Sequence, residues 1–323
     1  MAKPTPPPPK SKVIRAKRRV TKIGPFYDFK QQECWSCMAI MRPLPMAICL
    51  AILGVICVIF GIIWGVSASF AKESLTYRYD NLCDLNRKCT FRFELEEDLE
   101  APVYLYYRIE GFYQAYRKYY GSRSFSQLRG ENANDYDTLG GCTPKISEDD
   151  EENDPSAVFL PCGLIATSFF NDTYTLLKDN GERVDQSSKD VNIPSDASLY
   201  DDPGPDTEGI RVVNSFENPL LMVWMRAAAL PNFIKLYAII DEDLDAGMYK
   251  MEIKNHYPVE EYNARKYFKL ATTTWIGGRN FFLGFALLAI GIILFLFSFF
   301  ICLKSCLWPR KLGNIAYLDW ENN

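Results

Sequence analysis

Residues 43–71 read PLPMAICLAILGVICVIFGIIWGVSASFA, and residues 280–303 read NFFLGFALLAIGIILFLFSFFICL. The first stretch contains 29 residues and the second contains 24, and neither contains a charged side chain. A helix needs roughly 20 predominantly apolar residues to cross a hydrocarbon core of about 30 Å. The two stretches therefore predict two membrane-spanning helices, one near each end of the chain.

The two stretches divide the 323-residue chain into five segments. We predict a cytoplasmic basic, Pro-rich tail over 1–42, a transmembrane helix over 43–71, a luminal or extracellular domain over 72–279, a transmembrane helix over 280–303 and a cytoplasmic tail over 304–323. The first apolar run is longer than the 7–15 residues of a secretory signal core, so we expect an uncleaved signal-anchor.

Basic residues predict the orientation. Residues 1–42 carry ten Lys and Arg against two acids, and the tail from 304 carries three against two. Cytoplasmic segments are enriched in Lys and Arg, so both termini are expected in the cytoplasm. Residues 72–279 carry 23 Lys and Arg against 36 Asp and Glu. An acidic exoplasmic domain between basic cytoplasmic ends argues against a nucleic-acid partner.

Cysteine usage agrees with this topology. Four of the ten cysteines lie in the middle domain: Cys83, Cys89, Cys142 and Cys162. An even number in an oxidising compartment predicts two disulfides, for which three connectivities are open. Proximity in the sequence favours one disulfide within 83–89 and one within 142–162. The one N-x-[ST] motif, at residues 171–173, predicts glycosylation of Asn171.

Few motifs indicate chemistry. The single histidine, His256, stands beside a strand pattern and is more typical of a surface or sheet residue than of a ligand. The pair Cys34-x-x-Cys37 lacks the four ligands of a structural zinc site, so palmitoylation is a better functional explanation and no role is better still. Glycine-rich phosphate loops and nucleophile elbows are missing from the sequence. We predict no catalytic, cofactor-binding or metal-binding residue, and no enzyme activity.

Hydrophobic periodicity predicts the fold class of the middle domain. Alternating apolar and polar residues, or β-branched and aromatic runs, predict strands at 91–95, 103–109, 249–253 and 267–275. Helical spacing occurs at 112–119 and, after Pro231, at 233–240. This order predicts an antiparallel sheet or sandwich with helical insertions. Its first and last strands can pair, which would bring the two membrane helices together.

Two acidic, turn-rich segments, Glu148–Asp154 and Asp201–Glu208, predict surface loops. A disulfide between Cys142 and Cys162 would close the base of the first loop. Its consecutive acids lack the alternate spacing of an EF-hand loop, so calcium binding is a weak alternative.

Small residues recur along both predicted spans. The interval is seven residues for Ala47, Gly54, Gly61 and Ala68, and for Gly284, Gly291 and Ser298; Gly65 completes a Gly-x-x-x-Gly motif with Gly61. Small residues let helix backbones approach closely in lipid, and a seven-residue period favours a left-handed crossing. We predict that the five glycines form a helix-packing or partner interface, either with the other span or with another protein.

Longer motifs resemble one family. They lie at 102–107 (PVYLYY) with 111–119, 161–166 (PCGLIA) with 170–173 (FNDT), 223–231 (VWMRAAALP) with 235–237 (KLY), 257–259 (YPV) and 274–284 (TWIGGRNFFLG). Together they resemble the cell-division-control protein 50 (transmembrane protein 30) family, the β subunits of type IV P-type ATPases. The resemblance runs from about Phe29 to Leu303, in order and with the same topology.

The resemblance implies a mainly antiparallel β-sandwich domain and a non-catalytic β subunit of a phospholipid flippase. Such a subunit forms a heterodimer with a type IV P-type ATPase, contacts membrane lipids and permits exit from the endoplasmic reticulum toward Golgi, endosomal or plasma membranes. The family's disulfides and glycan would map onto the four middle-domain cysteines and Asn171. Two alternatives remain at this stage: a subunit of a two-span oligomeric ion channel, and a membrane-anchored adhesion or receptor domain.

Overall fold

The computed structural model describes residues 42–131, 136–147, 158–202, 211–212, 215 and 217–309. Of the described residues, 51–296 belong to one compact unit, and 42–50 with 297–309 belong to a second. Several sequence predictions lie outside the described residues: the Pro-rich tail, the Cys34-x-x-Cys37 pair, the acidic loop at 148–154 and most of the loop at 201–208.

In the part of the chain that the structure describes, two helices are long and apolar enough to cross a membrane. We name them the first span, Pro43–Phe70, and the second span, Phe282–Leu307. They contain 28 and 26 residues. At 1.5 Å per residue their lengths are about 42 Å and about 39 Å, which exceeds the roughly 30 Å of a hydrocarbon core. Each helix can therefore cross the bilayer and still reach the headgroup layers.

Nine strands lie between the spans in the described part of the chain. In chain order they are β1 (Tyr77–Arg78), β2 (Arg87–Leu95), β3 (Val103–Glu110), β4 (Phe159–Leu160), β5 (Thr173–Lys178), β6 (Arg211–Val212), β7 (Phe233–Ile240), β8 (Gly247–Asn255) and β9 (Arg265–Thr272). A four-stranded antiparallel sheet has the order β1-β9-β3-β7, and a three-stranded antiparallel sheet has the order β2-β8-β5. The short strands β4 and β6 form a parallel pair.

Short helices connect the strands. They are α1 (Arg117–Gly121), α2 (Phe125–Leu128), α3 (Leu164–Thr167), α4 (Pro194–Ala197) and α5 (Pro219–Met225), with 3₁₀ turns at Tyr136–Cys142 and Glu260–Tyr262. The sequence shows why α5 begins where it does. Asn218 accepts a hydrogen bond from the backbone N–H of Leu220, and Pro219 occupies the first turn, where no N–H is needed.

The two sheets pack face to face through aromatic rings. Phe91 and Phe93 of β2 contact Tyr77 of β1, with ring centroids 5.6 and 5.0 Å apart. The same two rings contact Phe268 of β9 at 5.6 and 5.5 Å. Aromatic pairs at such distances stabilise a core beyond the area that they bury. The predicted fold, two membrane helices flanking a mainly antiparallel β-sandwich with helical insertions, is confirmed.

Alternation predicted most strands correctly. The expected strands at 91–95, 103–109 and 249–253 lie in β2, β3 and β8. Along β3 every second side chain is buried, as expected for a strand with one face on a core. The run predicted at 267–275 forms β9, which ends at Thr272. The helical pattern at 112–119 gives only one turn, α1, which begins at Arg117.

The helix predicted at 233–240 is wrong, because these residues form β7. The buried positions are Phe233, Lys235, Ala238 and Ile240. Their spacing is two, three and two because a bulge at Tyr237 shifts the register of β7 against β3. A bulge adds one residue to one strand and moves the later side chains to the other face. The resulting pattern imitates helical spacing, and a buried lysine hides the remaining alternation.

The ends of the sandwich domain meet, as predicted. Tyr77 of β1 pairs with Phe268 of β9. Lys72 and Thr272 are joined by a backbone hydrogen bond of 2.9 Å from the N–H of Thr272 to the carbonyl of Lys72. Lys72 lies two residues after the end of the first span, and Thr272 lies ten residues before the start of the second span. The pairing therefore delivers both chain ends of the domain to the same place.

Candidate functional site

Glycines bring the two spans into backbone contact. A Cβ added at Gly61 would lie 2.9 Å from the Cγ of Leu288 and 3.1 Å from the carbonyl oxygen of Gly284. A Cβ added at Gly291 would lie 3.0 Å from the carbonyl oxygen of Gly54. Backbone contacts of 3.0–3.1 Å are tighter than nine in ten real Cβ contacts, so a residue larger than glycine needs the facing helix to shift by a few tenths of an ångström. Close backbone approach is what small residues provide in lipid.

The buried residues of the spans are the small ones. Within the described spans they are Ala47, Gly54, Gly61 and Ala68, and Gly284, Gly291 and Ser298. We call this set the small-residue seam. Ser298 donates a hydrogen bond of 2.8 Å to the carbonyl of Ala47. Of the two partners left open by the sequence, the other span therefore receives this face.

Gly65 differs from the other four predicted glycines. It is half-buried, and a Cβ added there would meet nothing within 4 Å. Its backbone still lies in the contact, because a Cβ added at Gly284 would come within 3.1 Å of its nitrogen. The backbone of Gly65 therefore contacts the second span, whereas a side chain at position 65 would point into open space.

The outer faces of the spans remain apolar and exposed. Large exposed side chains include Ile52, Ile56, Ile59, Ile63, Phe285, Ile292 and Phe299. Lipid tails or the helices of a membrane partner are the surroundings in which such surfaces are stable. Once the small-residue seam is closed, these faces are what the spans can offer to a third helix.

We predict that Gly61→Leu separates the spans. Leucine at this position would collide with Leu288 and with the backbone of Gly284, and overpacking of this kind typically costs about 1–3 kcal/mol. The apparent unfolding temperature of the full-length protein in detergent should fall by several degrees. Gly65→Leu is the matched control, because it adds the same side chain to the same helix in open space. Equal unfolding temperatures for the two variants would contradict the seam.

Two disulfides brace the sandwich domain. Cys83 is bonded to Cys89 and Cys142 to Cys162, with Cα atoms 5.7 and 5.6 Å apart. The first closes the turn between β1 and β2. The second is fully buried in a small hydrophobic cluster of its own, with Leu139, Ile146 and Val158. It therefore links the 3₁₀ turn at Tyr136–Cys142 to the segment that leads into α3.

Gly163, directly after the buried Cys162, has a conformation that other residues rarely adopt. Its φ is +105°, and a Cβ added there would lie 2.1 Å from the carbonyl oxygen of Ser122. Ser122 itself is buried; its hydroxyl donates to the carbonyl of Cys142 and accepts from the N–H of Leu164. One close crossing of three segments thus depends on a residue without a side chain.

A buried ion pair lies in the interior of the sandwich domain, and sequence reasoning missed it. The side chains of Asp172 and Lys266 are both fully buried, with 2.6 Å between Nζ and Oδ2. Lys266 also donates to the side-chain oxygen of Asn255 and, at 2.6 Å, to the carbonyl of Tyr257. Burial lowers the pKa of Lys266, and the Asp172 carboxylate acts in the opposite direction. All three ammonium hydrogens therefore have acceptors.

Asp172 has a full set of donors. Its Oδ1 accepts from the backbone N–H groups of His256 and Tyr257, both at 2.6 Å. Its Oδ2 accepts from Lys266 and, at 2.7 Å, from the hydroxyl of Tyr79. The carboxylate thus connects β5, β9, the segment after β8 and the residue that follows β1. His256, the single histidine, contributes its backbone to this network while its side chain is exposed.

The glycosylation motif surrounds this buried carboxylate. Asn171 and Thr173 are exposed, whereas Asp172 between them points into the core. The alternation follows from the extended backbone that enters β5. Both outer residues lie at the start of β5, an edge strand of its sheet, and both are exposed to solvent. An exposed Asn at a sheet edge is accessible to modification.

A second buried lysine, Lys235 of β7, caps the C-terminal end of α5. Its Nζ donates to the carbonyls of Val223, Trp224 and Arg226 at 2.9, 2.8 and 2.6 Å. The last carbonyls of a helix have no partner within the helix, and a cation near them also interacts favourably with the helix dipole. Burial lowers the pKa of Lys235 to about 7.

This depressed pKa predicts a pH dependence of stability. The unfolded chain holds the lysine proton up to about pH 10.4, whereas the folded chain releases it near 7. Between those values the unfolded state binds more protons, so stability rises with pH. We expect the unfolding temperature of the full-length protein to increase from pH 7 to pH 9, and to increase less steeply in Lys235→Met. Identical slopes in the two proteins would contradict the assignment.

Within the described residues no group of three or more His, Cys, Asp or Glu side chains is placed to hold a metal ion. The free cysteines that the structure describes, Cys49, Cys57, Cys302 and Cys306, all lie in the spans. The described residues build paired apolar helices and a disulfide-braced sandwich with a buried polar network.

Comparison with known proteins identifies the fold's relatives. Residues 66–311 match the LEM3 (ligand-effect modulator 3) family / CDC50 family. The chain belongs to this family. The match confirms the resemblance seen in the motifs, and it covers both disulfides, the Asp172–Lys266 pair and the second span.

Relatives within the CDC50 family align over most of the chain. ALA-interacting subunit 3 of Arabidopsis thaliana is 34% identical over 95% of this chain and 93% of its own length. The phospholipid-transporting ATPase accessory subunit CDC50 of Chaetomium thermophilum is 32% identical over 75% of this chain and 66% of its own length. Accessory subunit CRF1 of Saccharomyces cerevisiae, likewise named for a phospholipid-transporting ATPase, is 30% identical over 74% and 64%.

Proposed function

We propose that this chain is the non-catalytic β subunit of a phospholipid flippase, in a heterodimer with a type IV P-type ATPase. The observation that carries the proposal is the alignment with accessory subunits of phospholipid-transporting ATPases over three quarters of the chain. ATP hydrolysis and lipid movement belong to the catalytic partner, and this chain supplies binding surface.

The geometry supports a binding role. Closure of the small-residue seam makes the spans one unit whose outer faces are apolar, which suits docking against a bundle of membrane helices. The disulfide-braced sandwich can cover exoplasmic loops of the same partner. A subunit that binds only the folded ATPase stabilises it by mass action. This accounts for folding, exit from the endoplasmic reticulum and activity of the partner as consequences of one interaction.

The proposed orientation places both termini in the cytoplasm and residues 72–279 on the luminal or extracellular side. The basic tails support it through the positive-inside rule, and disulfides are typical of oxidising compartments. The membrane of residence would be the endoplasmic reticulum, followed by the Golgi, endosomes or plasma membrane. Lipids would contact the outer faces of the spans.

The test is a lipid-uptake assay in cells that lack their own accessory subunits. Cells receive the ATPase alone, this chain alone, or both, and uptake of fluorescent phospholipid into the cytoplasmic leaflet is measured. We expect uptake and ATPase exit from the endoplasmic reticulum only with both chains. An ATP-hydrolysis-deficient ATPase is the control for catalysis by the partner. Equal uptake with and without this chain would contradict the proposal.

We predict that Cys142→Ser/Cys162→Ser retains the complex in the endoplasmic reticulum. A loop of about 20 residues contributes roughly 3 kcal/mol through its disulfide, and among the described residues the cluster around it has three other buried hydrophobic side chains, Leu139, Ile146 and Val158. The measurement is the fraction of endoglycosidase-resistant, surface-labelled protein. Cys49→Ser, a free cysteine in the first span, is the matched control. Normal trafficking of the double variant would contradict the bracing role.

A further inference from the structure

An open cleft of about 1050 Å³ lies in the sandwich domain. Aromatic rings from three separate stretches line it: Tyr113, Tyr116, Phe169, Tyr257 and Tyr262. Pockets of roughly 300–1,000 Å³ are large enough to enclose most of a small organic ligand. The buried polar network around Asp172 does not explain the presence of this cleft.

The cleft presents exposed aromatic surface. Tyr113 and Tyr116 are 68% and 62% exposed, and Tyr262 is 44% exposed. Clusters of exposed aromatic rings usually mark a surface that something covers.

Asn171, the acceptor residue of the glycosylation motif, also lines this cleft. Asn171 is exposed, and Phe169, two residues before it, lies in the same wall. Any group attached to the Asn171 amide therefore starts at the lining of the cleft, close to its aromatic side chains. Attachment keeps the group at a high effective concentration, so occupation needs little intrinsic affinity.

We propose that the cleft holds the first sugars of an N-linked glycan on Asn171. The proposal rests on the exoplasmic orientation proposed above. In the transfer, the Asn171 amide nitrogen loses one proton and bonds to C1 of the first N-acetylglucosamine, while the lipid pyrophosphate of the oligosaccharide donor leaves. The C–H faces of the sugar rings pack on the tyrosine rings.

Hydrogen exchange of the full-length protein tests this occupant. Peptides over 111–119 and 257–262 are compared in the wild type, in Asn171→Gln, and in Asn171→Gln/Glu182→Thr. The last variant moves the acceptor to Asn180, an exposed turn residue outside the cleft. We expect exchange in both peptides to be several-fold slower in the wild type than in either variant. A glycan that merely improves solubility would protect neither peptide.

A glycosidase assay gives an independent readout. Under native conditions, enzymatic release of the glycan should be several-fold faster from Tyr116→Ala than from the wild type, because one wall of the cleft is removed. Tyr120→Ala is the matched control, since Tyr120 is a similarly exposed tyrosine four residues away that does not line the cleft. Equal release rates for the three proteins would overturn the proposal.

Three further results would overturn it: an unmodified Asn171 in the native protein, equal exchange in the wild type and both variants, or protection that appears only when the ATPase is bound. The last result would assign the cleft to a protein partner. Capture of the ATPase is scored in the same samples. If the ATPase is captured but the cleft is not protected, only the glycan proposal fails. If the cleft is protected but no ATPase is captured, only the subunit proposal fails.

Discussion

Asp172→Asn should strongly destabilise the sandwich domain and retain much of the protein in the endoplasmic reticulum. The substitution removes the charge that faces Lys266, whose side chain is fully buried with the carboxylate 2.6 Å away. Removing one partner of a buried ion pair typically costs about 3–5 kcal/mol, because the other charge stays buried. Whole domains are stable by only about 5–15 kcal/mol. The change therefore removes a large part of the stability of the sandwich.

Two further variants make this expectation specific. Asp172→Asn keeps the Asn-x-Thr motif, so the acceptor at Asn171 is unchanged. Lys266→Met alone should also destabilise, because the Asp172 carboxylate would lose its cation. The double variant Asp172→Asn/Lys266→Met should recover part of the loss, since neither charge remains. Unfolding temperature and yield of folded protein are the measurements. Equal stability of Asp172→Asn and the wild type would refute the role of the pair.

Gly163→Ala is the second large effect that we expect. Alanine would have to adopt a φ of +105° and place its Cβ 2.1 Å from the carbonyl oxygen of Ser122. The backbone conformation alone costs about 1–3 kcal/mol, and relief of the collision requires a backbone shift that costs a similar amount. The hydrogen bonds of Ser122 to Cys142 and Leu164 lie at the same crossing and should be lost with it.

Gly181→Ala separates the two contributions. Gly181 also has a positive φ, +88°, but a Cβ added there would meet nothing within 4 Å. We expect this control to lose only the conformational part, about 1 kcal/mol. Denaturant unfolding of both variants gives the comparison. If Gly163→Ala were no less stable than Gly181→Ala, the close contact with Ser122 would have no energetic importance.

Sequence patterns over a few neighbouring residues predicted those elements whose structure depends mainly on neighbouring residues. Two uncharged runs gave the spans, and a two-residue alternation gave β2, β3 and β8. The small-residue interval of seven predicted a packing face, although it could not decide between the other span and a foreign partner. That choice depends on how the chain returns to the membrane, which follows from pairing between β1 and β9, nearly 200 residues apart.

The missed features share one cause. Lys235 and Lys266 are buried lysines, and a lysine in a strand pattern is ordinarily assigned to the outer face. Their acceptors lie on other elements: the end of α5 for Lys235, and Asp172 and Asn255 for Lys266. Asp172 was visible only as the middle residue of a glycosylation motif. The error at β7 arose from its bulge and its buried lysine together.

The most direct test of the central claim is the native mass of the complex. The full-length chain is captured through a C-terminal tag from membranes of its own organism, without overexpression, and the eluate is measured by native mass spectrometry. We predict a single assembly of one copy of this chain with one copy of a type IV P-type ATPase. A homotrimer, or a free monomer with no ATPase in any eluate, would contradict the account.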